Sequence, residues 1–292
     1  MTLSRRKLLG QFAALGALST GLATGLARAQ TAAPTPATPV PVGTPLAPGQ
    51  GFESLWNTTS ALRAALEAQF SLTPDATVKS LEQYAAPSGL AKGKLYAFKG
   101  TPLERVVHAQ LQAGPPGSSG VGTMRLTAWL DPSLEVPHLV MEFGVLPQLF
   151  VYLDYAPRTD LMLDTGALET YYTPLSADVL KVAADKRFTP YVSPSAFVRQ
   201  FQSSAALNFS AAPTLENLGA VQDLARVHFE RWLGWVKAAQ PTELGARAVL
   251  RRRDIALRRG SAERDPGNAL AARLFGPELS SQLIRALWGP LR

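Results

Sequence analysis

The chain has 292 residues, 46% of them hydrophobic and 17% charged, which allows a sizeable core in one large domain or two small ones. It contains no cysteine, which excludes disulfides, thiolate metal sites, a lipidated cysteine and a cysteine nucleophile together. Its formal charge of +7 is partly an N-terminal matter. Arg5, Arg6, Lys7 and Arg28 contribute four positive charges in a segment with no acid, so without it the balance is +3, too mild by itself to imply nucleic acid.

That segment has the layout of an export signal. Ser4-Arg5-Arg6-Lys7-Leu8-Leu9 precedes a Gly- and Ala-rich apolar run over 12–26, then Ala27-Arg28-Ala29, a small-x-small cleavage pattern before Gln30. The adjacent arginines predict a twin-arginine signal over 1–29, the route for folded proteins, and hence a periplasmic or other extracytoplasmic destination. A membrane-anchoring helix is the weaker reading, because Gly16, Gly21 and Gly25 weaken a helix and the run is short for a bilayer. Residues 30–51 are dominated by Ala, Thr, Pro, Val and Gly and are expected to form a semi-stiff tether. A single domain is expected over 52–292, with no membrane span once the signal is removed.

In that domain the periodicity is first helical. Leu55, Leu62, Leu66 and Phe70 predict an amphipathic helix over 54–70, with capping oxygens from Asn57, Thr58 and Thr59. Short strand-like runs follow at 95–98, 106–112, 124–129, 138–145, 150–155, 197–202 and 207–209, separated by Gly, Pro and Ser clusters such as 114–120. Such connections are too short for helical crossovers, so the strands are expected to form an antiparallel meander. From Thr214 onward, helices are predicted over 214–239, 242–259 and 277–287. Strands followed by helices define an α+β class, with helices covering the sheet.

No phosphate-cradling glycine motif, P-loop, zinc-ligand spacing or nucleophile elbow occurs. The three histidines, His108, His138 and His228, are too scattered to form a metal cluster, so no metal is expected. If redox chemistry occurs, the electrons come from outside or from a ligand. Glu142 stands out, lying in the apolar run Leu139-Val140-Met141-Glu142-Phe143. Alternation places it on one face with His138 and Val140. That face is either the solvated side of an edge strand or a buried one, where a carboxyl group with a raised pKa would suit proton delivery.

Four segments in order carry a family resemblance: Pro137-His138-Leu139-Val140-Met141-Glu142, Leu153-Asp154-Tyr155-Ala156-Pro157-Arg158-Thr159-Asp160-Leu161, Thr170-Tyr171-Tyr172 with Pro190-Tyr191-Val192-Ser193-Pro194-Ser195, and Arg273-Leu274-Phe275-Gly276-Pro277-Glu278-Leu279. With these the chain resembles red chlorophyll catabolite reductase, in the ferredoxin-dependent bilin reductase superfamily. The resemblance implies a three-layer α/β/α sandwich around a central antiparallel sheet. It also implies reduction of a linear tetrapyrrole, with no bound cofactor, one-electron transfers from an external ferredoxin, and a homodimer in some members.

The resemblance further implies an essential glutamate at Glu142 and a second acid at Asp265. At Asp265 the spacing to Phe275-Gly276 is about one residue longer than in the family, and Pro266-Gly267 replaces a more apolar context, so an Asp that opens a turn is an equal reading. His138 and Arg158 are expected to contact substrate. The alternatives are a hydrogen-bonded histidine at a strand start and a local Arg158–Asp160 pair. His108 faces the same choice as His138, and His228, Trp232 and Trp235 read as core more readily than as a wall for a flat ligand. Arg247, Arg251, Arg252, Arg253, Arg258, Arg259 and Arg264 form either a solvated helix face or a docking patch for an acidic electron-transfer protein. Ferredoxin is cytoplasmic or stromal, so an exported reductase would need another donor or another job; the alternative is a non-catalytic extracytoplasmic tetrapyrrole-binding or carrier protein.

Overall fold

Five long strands rich in β-branched, aromatic and leucine side chains pair in sequence order, and four short strands extend them at the edges. The computed structural model describes residues 43–114, 121–145 and 147–289. The signal, most of the tether and the loop at 115–120 lie outside the described residues. The strands are β1 (Thr73–Pro74), β2 (Tyr84–Ala85), β3 (Ala91–Gly100), β4 (Leu103–Ala113), β5 (Val121–Leu130), β6 (His138–Val145), β7 (Leu149–Ala156), β8 (Phe188–Pro190) and β9 (Leu207–Ala211). They form one antiparallel sheet in the order β1-β3-β4-β5-β6-β7-β9-β8, with β2 also paired to β3. This is the meander expected from the short connections, and β6 has the bounds read from the sequence.

Both faces are covered, so the central strands are buried on both sides. On one side lie α1 (Gln50–Phe70) and α4 (Leu215–Ala238); between them in the chain come two shorter helices, α2 (Ser176–Ala184) and α3 (Ala196–Phe201), of which α3 packs Phe201 with the opposite layer. Leu55 and Leu66 of α1 and Val221 and Trp232 of α4 pack there on Leu126, Leu139, Met141, Phe143, Val151 and Leu153. Against the opposite face lie α5 (Leu244–Arg264) and α6 (Gly267–Trp288), with Phe275, Leu283, Leu287 and Trp288 on Val107, Trp129, Val140 and Phe150. Each fully buried Leu or Phe contributes roughly 1.5–3 kcal/mol by leaving water. The result is a three-layer α/β/α sandwich, and no described helix is long and apolar enough to cross a membrane.

Several local readings are corrected. Asn57, Thr58 and Thr59 lie inside α1, where the Thr58 and Thr59 hydroxyls donate to the Ser54 and Trp56 carbonyls; Gly49 occupies the N-cap. Residues 197–202 are not a strand. Ser195 Oγ accepts the Val198 N–H and caps α3, whose spacing of Val198 and Phe201 buries one helical face. The packed chain also begins within the stretch read as a tether: Leu46 N–H donates to Pro213 O at 3.0 Å and Leu215 N–H to Thr44 O at 2.9 Å. The last helix starts ten residues before Pro277 and kinks at Gly276, whose φ of 77° and ψ of 166° are essentially restricted to glycine.

Candidate active site

Directly opposed positions on successive strands form a row across the sheet under α6: Leu95, Ala109, Arg125, Glu142, Tyr152 and Asn208. Antiparallel register sends opposed side chains to the same face, so these side chains are neighbours. Arg125 Nη2 pairs with Glu142 Oε1 across β5 and β6, with both groups buried. Glu142 is thus on an inner strand under a helical layer, and the solvated-edge reading is excluded. The Arg125 guanidinium lies over the Trp288 ring, 5.5 Å from its centroid, so the end of α6 closes on the pair.

Asp265 reaches this place from the end of α5. Its Oδ1 accepts the Gly267 N–H at 2.8 Å, the turn role available to an Asp before Pro-Gly, while Oδ2 is buried with no protein hydrogen-bond partner. Burial pushes the carboxyl well above its ordinary value. Arg125 pulls it back, and Glu142 pushes it further up. Asp265 therefore makes the turn contact that was one reading of its sequence, and its side chain is buried.

Tyr152 donates its hydroxyl to Asp154 Oδ2 at 2.7 Å, and Asp154 also accepts from Ser203 N at 3.0 Å and Ser203 Oγ at 2.5 Å. Burial raises the Asp154 carboxyl, and the Ser203 contacts counteract it. This network fixes Tyr152 beside Glu142.

His138 and Arg158 are brought together, on Asp254 of α5. His138 Nδ1 accepts the Leu130 N–H at 3.0 Å, leaving Nε2 to donate to Asp254 Oδ1 at 3.1 Å. Arg158 Nε and Nη2 donate to Asp254 Oδ1 and Oδ2 at 3.1 and 2.5 Å, and its remaining bonds go to the Leu134 and Asp131 carbonyls. Burial, then Arg158, pushes the His138 imidazole down to about 4. Burial opposes charge on Asp254, but its His138 and Arg158 contacts prevail and bring it to about 2. Arg158 does not pair with Asp160, whose Oδ1 accepts the Met162 N–H. Neither His138 nor Arg158 lines the space at Arg125 and Glu142; they bolt α5 to the sheet.

His108 and His228 lie with the other layer. His108 stacks on Trp56 at 3.9 Å and meets Thr59 Oγ at 2.9 Å; His228 stacks on Tyr155 at 3.8 Å. Trp232 donates to Pro137 O at 2.8 Å. These are core contacts. In the arginine run, Arg251, Arg252, Arg253 and Arg259 are exposed, whereas Arg258 is buried and paired with Glu104 at 3.0 Å, so it leaves the surface patch. No group of three or more His, Asp or Glu side chains suited to a metal gathers among the described residues.

The space at the pair is about 40 Å³, bounded by Leu95, Leu111, Leu283 and Leu287 together with Arg125 and Glu142. Tyr84 and Gln110 also line an adjoining open groove of about 520 Å³ with Lys92 and Lys94. Around the pair, Arg125 Nε, Thr127 Oγ, Trp129 Nε1, Trp288 Nε1 and both amide atoms of Asn208 are buried without protein partners. Each such group costs about 1–3 kcal/mol. A polar ligand inserted between α6 and the sheet would meet donors and acceptors already aimed at it.

The three-layer sandwich around one antiparallel sheet is a fold of the bilin-reductase class. A solved structure of phytochromobilin synthase from tomato, in complex with biliverdin, superposes with a TM-score of 0.67 over 81% of this chain and 82% of that one, at 18% identity. The red chlorophyll catabolite reductase family model matches residues 56–288, and the chain belongs to that family. The barley red chlorophyll catabolite reductase is 31% identical over 168 residues, 53% of this chain and 82% of the relative.

Proposed function

We propose that this protein reduces a linear tetrapyrrole held between the sheet and the α5–α6 layer, using electrons delivered singly by an external donor and protons from Glu142 and Asp265. One observation carries the reading: Glu142 and Asp265, far apart in sequence, converge with Arg125 in one buried cluster. A buried carboxyl with a raised pKa is a competent acid, and burial raises that of Asp265. Two electrons and two protons together saturate one double bond of the pigment, and each proton ends on carbon. Family membership and the biliverdin complex of the tomato neighbour support the choice of ligand.

Binding on this face requires movement. Pockets for ligands of this size measure about 300–1,000 Å³, against about 40 Å³ beside Arg125. The α6 helix has to withdraw from the sheet, and the kink at Gly276 lets its second half move separately from its first. An acidic one-electron donor would dock on the exposed Arg251, Arg252, Arg253 and Arg259.

The twin-arginine reading of 1–29 extends the proposal to location: the protein acts outside the cytoplasm, with a different one-electron carrier as donor. Cell fractionation of the wild type and of an Arg5→Lys, Arg6→Lys double variant tests this, since retention of the variant inside is expected. For the activity, the protein lacking residues 1–29 is titrated with biliverdin and with an open-chain chlorophyll catabolite, then given reduced ferredoxin anaerobically. A shifted spectrum that bleaches on reduction establishes a reductase. A shift without bleaching establishes a pigment carrier.

A further inference from the structure

We propose that Arg125 is the receptor for a carboxylate of the ligand and that it exchanges Glu142 for that carboxylate when the ligand binds. This rests on the function proposed above. Among the residues lining the space beside Glu142, Arg125 is the one cation, and the rest of the lining is mostly apolar. A buried guanidinium left without an anion is strongly unfavourable, so Arg125 keeps a carboxylate partner in every state. In this structure the partner is Glu142. Arg125 Nε remains buried without a partner, so the guanidinium has donor capacity beyond the bond to Glu142. Its fork geometry takes an incoming carboxylate with two parallel hydrogen bonds.

The exchange has a chemical consequence. Tyr84 from β2, Arg125 from β5, Glu142 from β6, Tyr152 and Asp154 from β7 and Asp265 from the end of α5 are the titratable groups that meet here, while α6 presents Leu283, Leu287 and Trp288. The Arg125–Glu142 pair is balanced in charge. An added ligand carboxylate makes the cluster negative unless one proton enters from solvent, and Glu142, released from Arg125, receives it. Ligand binding thereby converts Glu142 from an ion-pair partner into a loaded acid beside the pigment. Arg125 is in this sense a binding residue and a positioning residue for Glu142.

The test compares biliverdin with its dimethyl ester, binding followed by absorbance and by calorimetry in two buffers of different ionisation heat. Wild type is expected to bind the diacid roughly 10–100-fold tighter than the diester, the range for hydrogen bonds to a charged group, and to take up one proton per diacid bound. In Arg125→Gln the preference and the proton uptake are lost while diester affinity is kept, and Arg125→Lys restores part of the preference. Equal binding of diacid and diester by wild type overturns the inference and leaves the pigment reading intact, and it needs no variant to fold. Retention of the preference by a folded Arg125→Gln overturns it equally. Failure of wild type to bind either pigment removes the reading and the inference together.

Discussion

His138 Nε2 lies 3.1 Å from Asp254 Oδ1, joining the first residue of β6 to the middle of α5. Four residues along β6 is Glu142, and eleven along from Asp254 is Asp265, so one buried contact sets the relation between the two candidate acids. Arg158 completes the bolt with two further bonds to the same carboxylate. Replacing Asp254 by Ala leaves Arg158 buried without its anion and is expected to cost about 3–5 kcal/mol. Urea denaturation measures the loss, and pigment turnover is expected to fall with it because Asp265 loses its placement.

Three buried histidines make stability depend on pH. Burial, first among the causes, holds His108 at about 3, His138 at about 4 and His228 at about 3. Their folded values lie below the unfolded value near 6.5, so their contribution is complete above pH 6.5 and is lost as pH falls toward 4. Alone they would remove about 4 kcal/mol per pH unit in that window. Asp154 and Asp265, raised by burial, act with the opposite sign, because the folded state holds protons that the unfolded state has released. The net slope is expected between about 1.4 and about 4 kcal/mol per unit. Melts at intervals from pH 7 to 4 read it directly.

Asp265→Asn separates stability from activity. The amide keeps the acceptor that Gly267 N–H uses and removes a carboxyl whose pKa burial raises well above its ordinary value. At pH 7 the variant is expected to melt higher, by roughly 2–4 °C for each kcal/mol gained, and to show a steeper loss of stability on acidification. Reduction of pigment is expected to fall by a factor of roughly 10²–10⁴.

Gly276 is tested through its backbone. A Cβ there would meet nothing within 4 Å, so Gly276→Ala acts through φ and ψ alone. The expected cost is about 1–3 kcal/mol, visible as a lowered urea midpoint.

Much of this architecture was legible. The alternation in residues 138–145 placed His138 and Glu142 on one face, whereas the helical turns before Gly276 were missed and the last helix was read as starting at Pro277. Arg125 was missed. It is a lone charge in the run Met124-Arg125-Leu126, and only the β5–β6 register sets it opposite Glu142. Asp254 sits among arginines, and nothing local shows that α5 buries that one position against His138 and Arg158. Arg158 and Asp160 invited pairing by proximity in sequence, yet the chain turns between them. The run at 197–202 has apolar residues that fit either period, and the Ser195 cap decided for helix.

The most direct measurement is anaerobic single-turnover reduction of bound biliverdin by wild type and by Glu142→Gln, with pigment affinity measured in parallel. Glu142→Gln is expected to bind pigment and accept the first electron, then stall, with bleaching slowed by a factor of roughly 10²–10⁴. Bleaching at the wild-type rate in the variant would contradict the assignment of Glu142 as the proton donor.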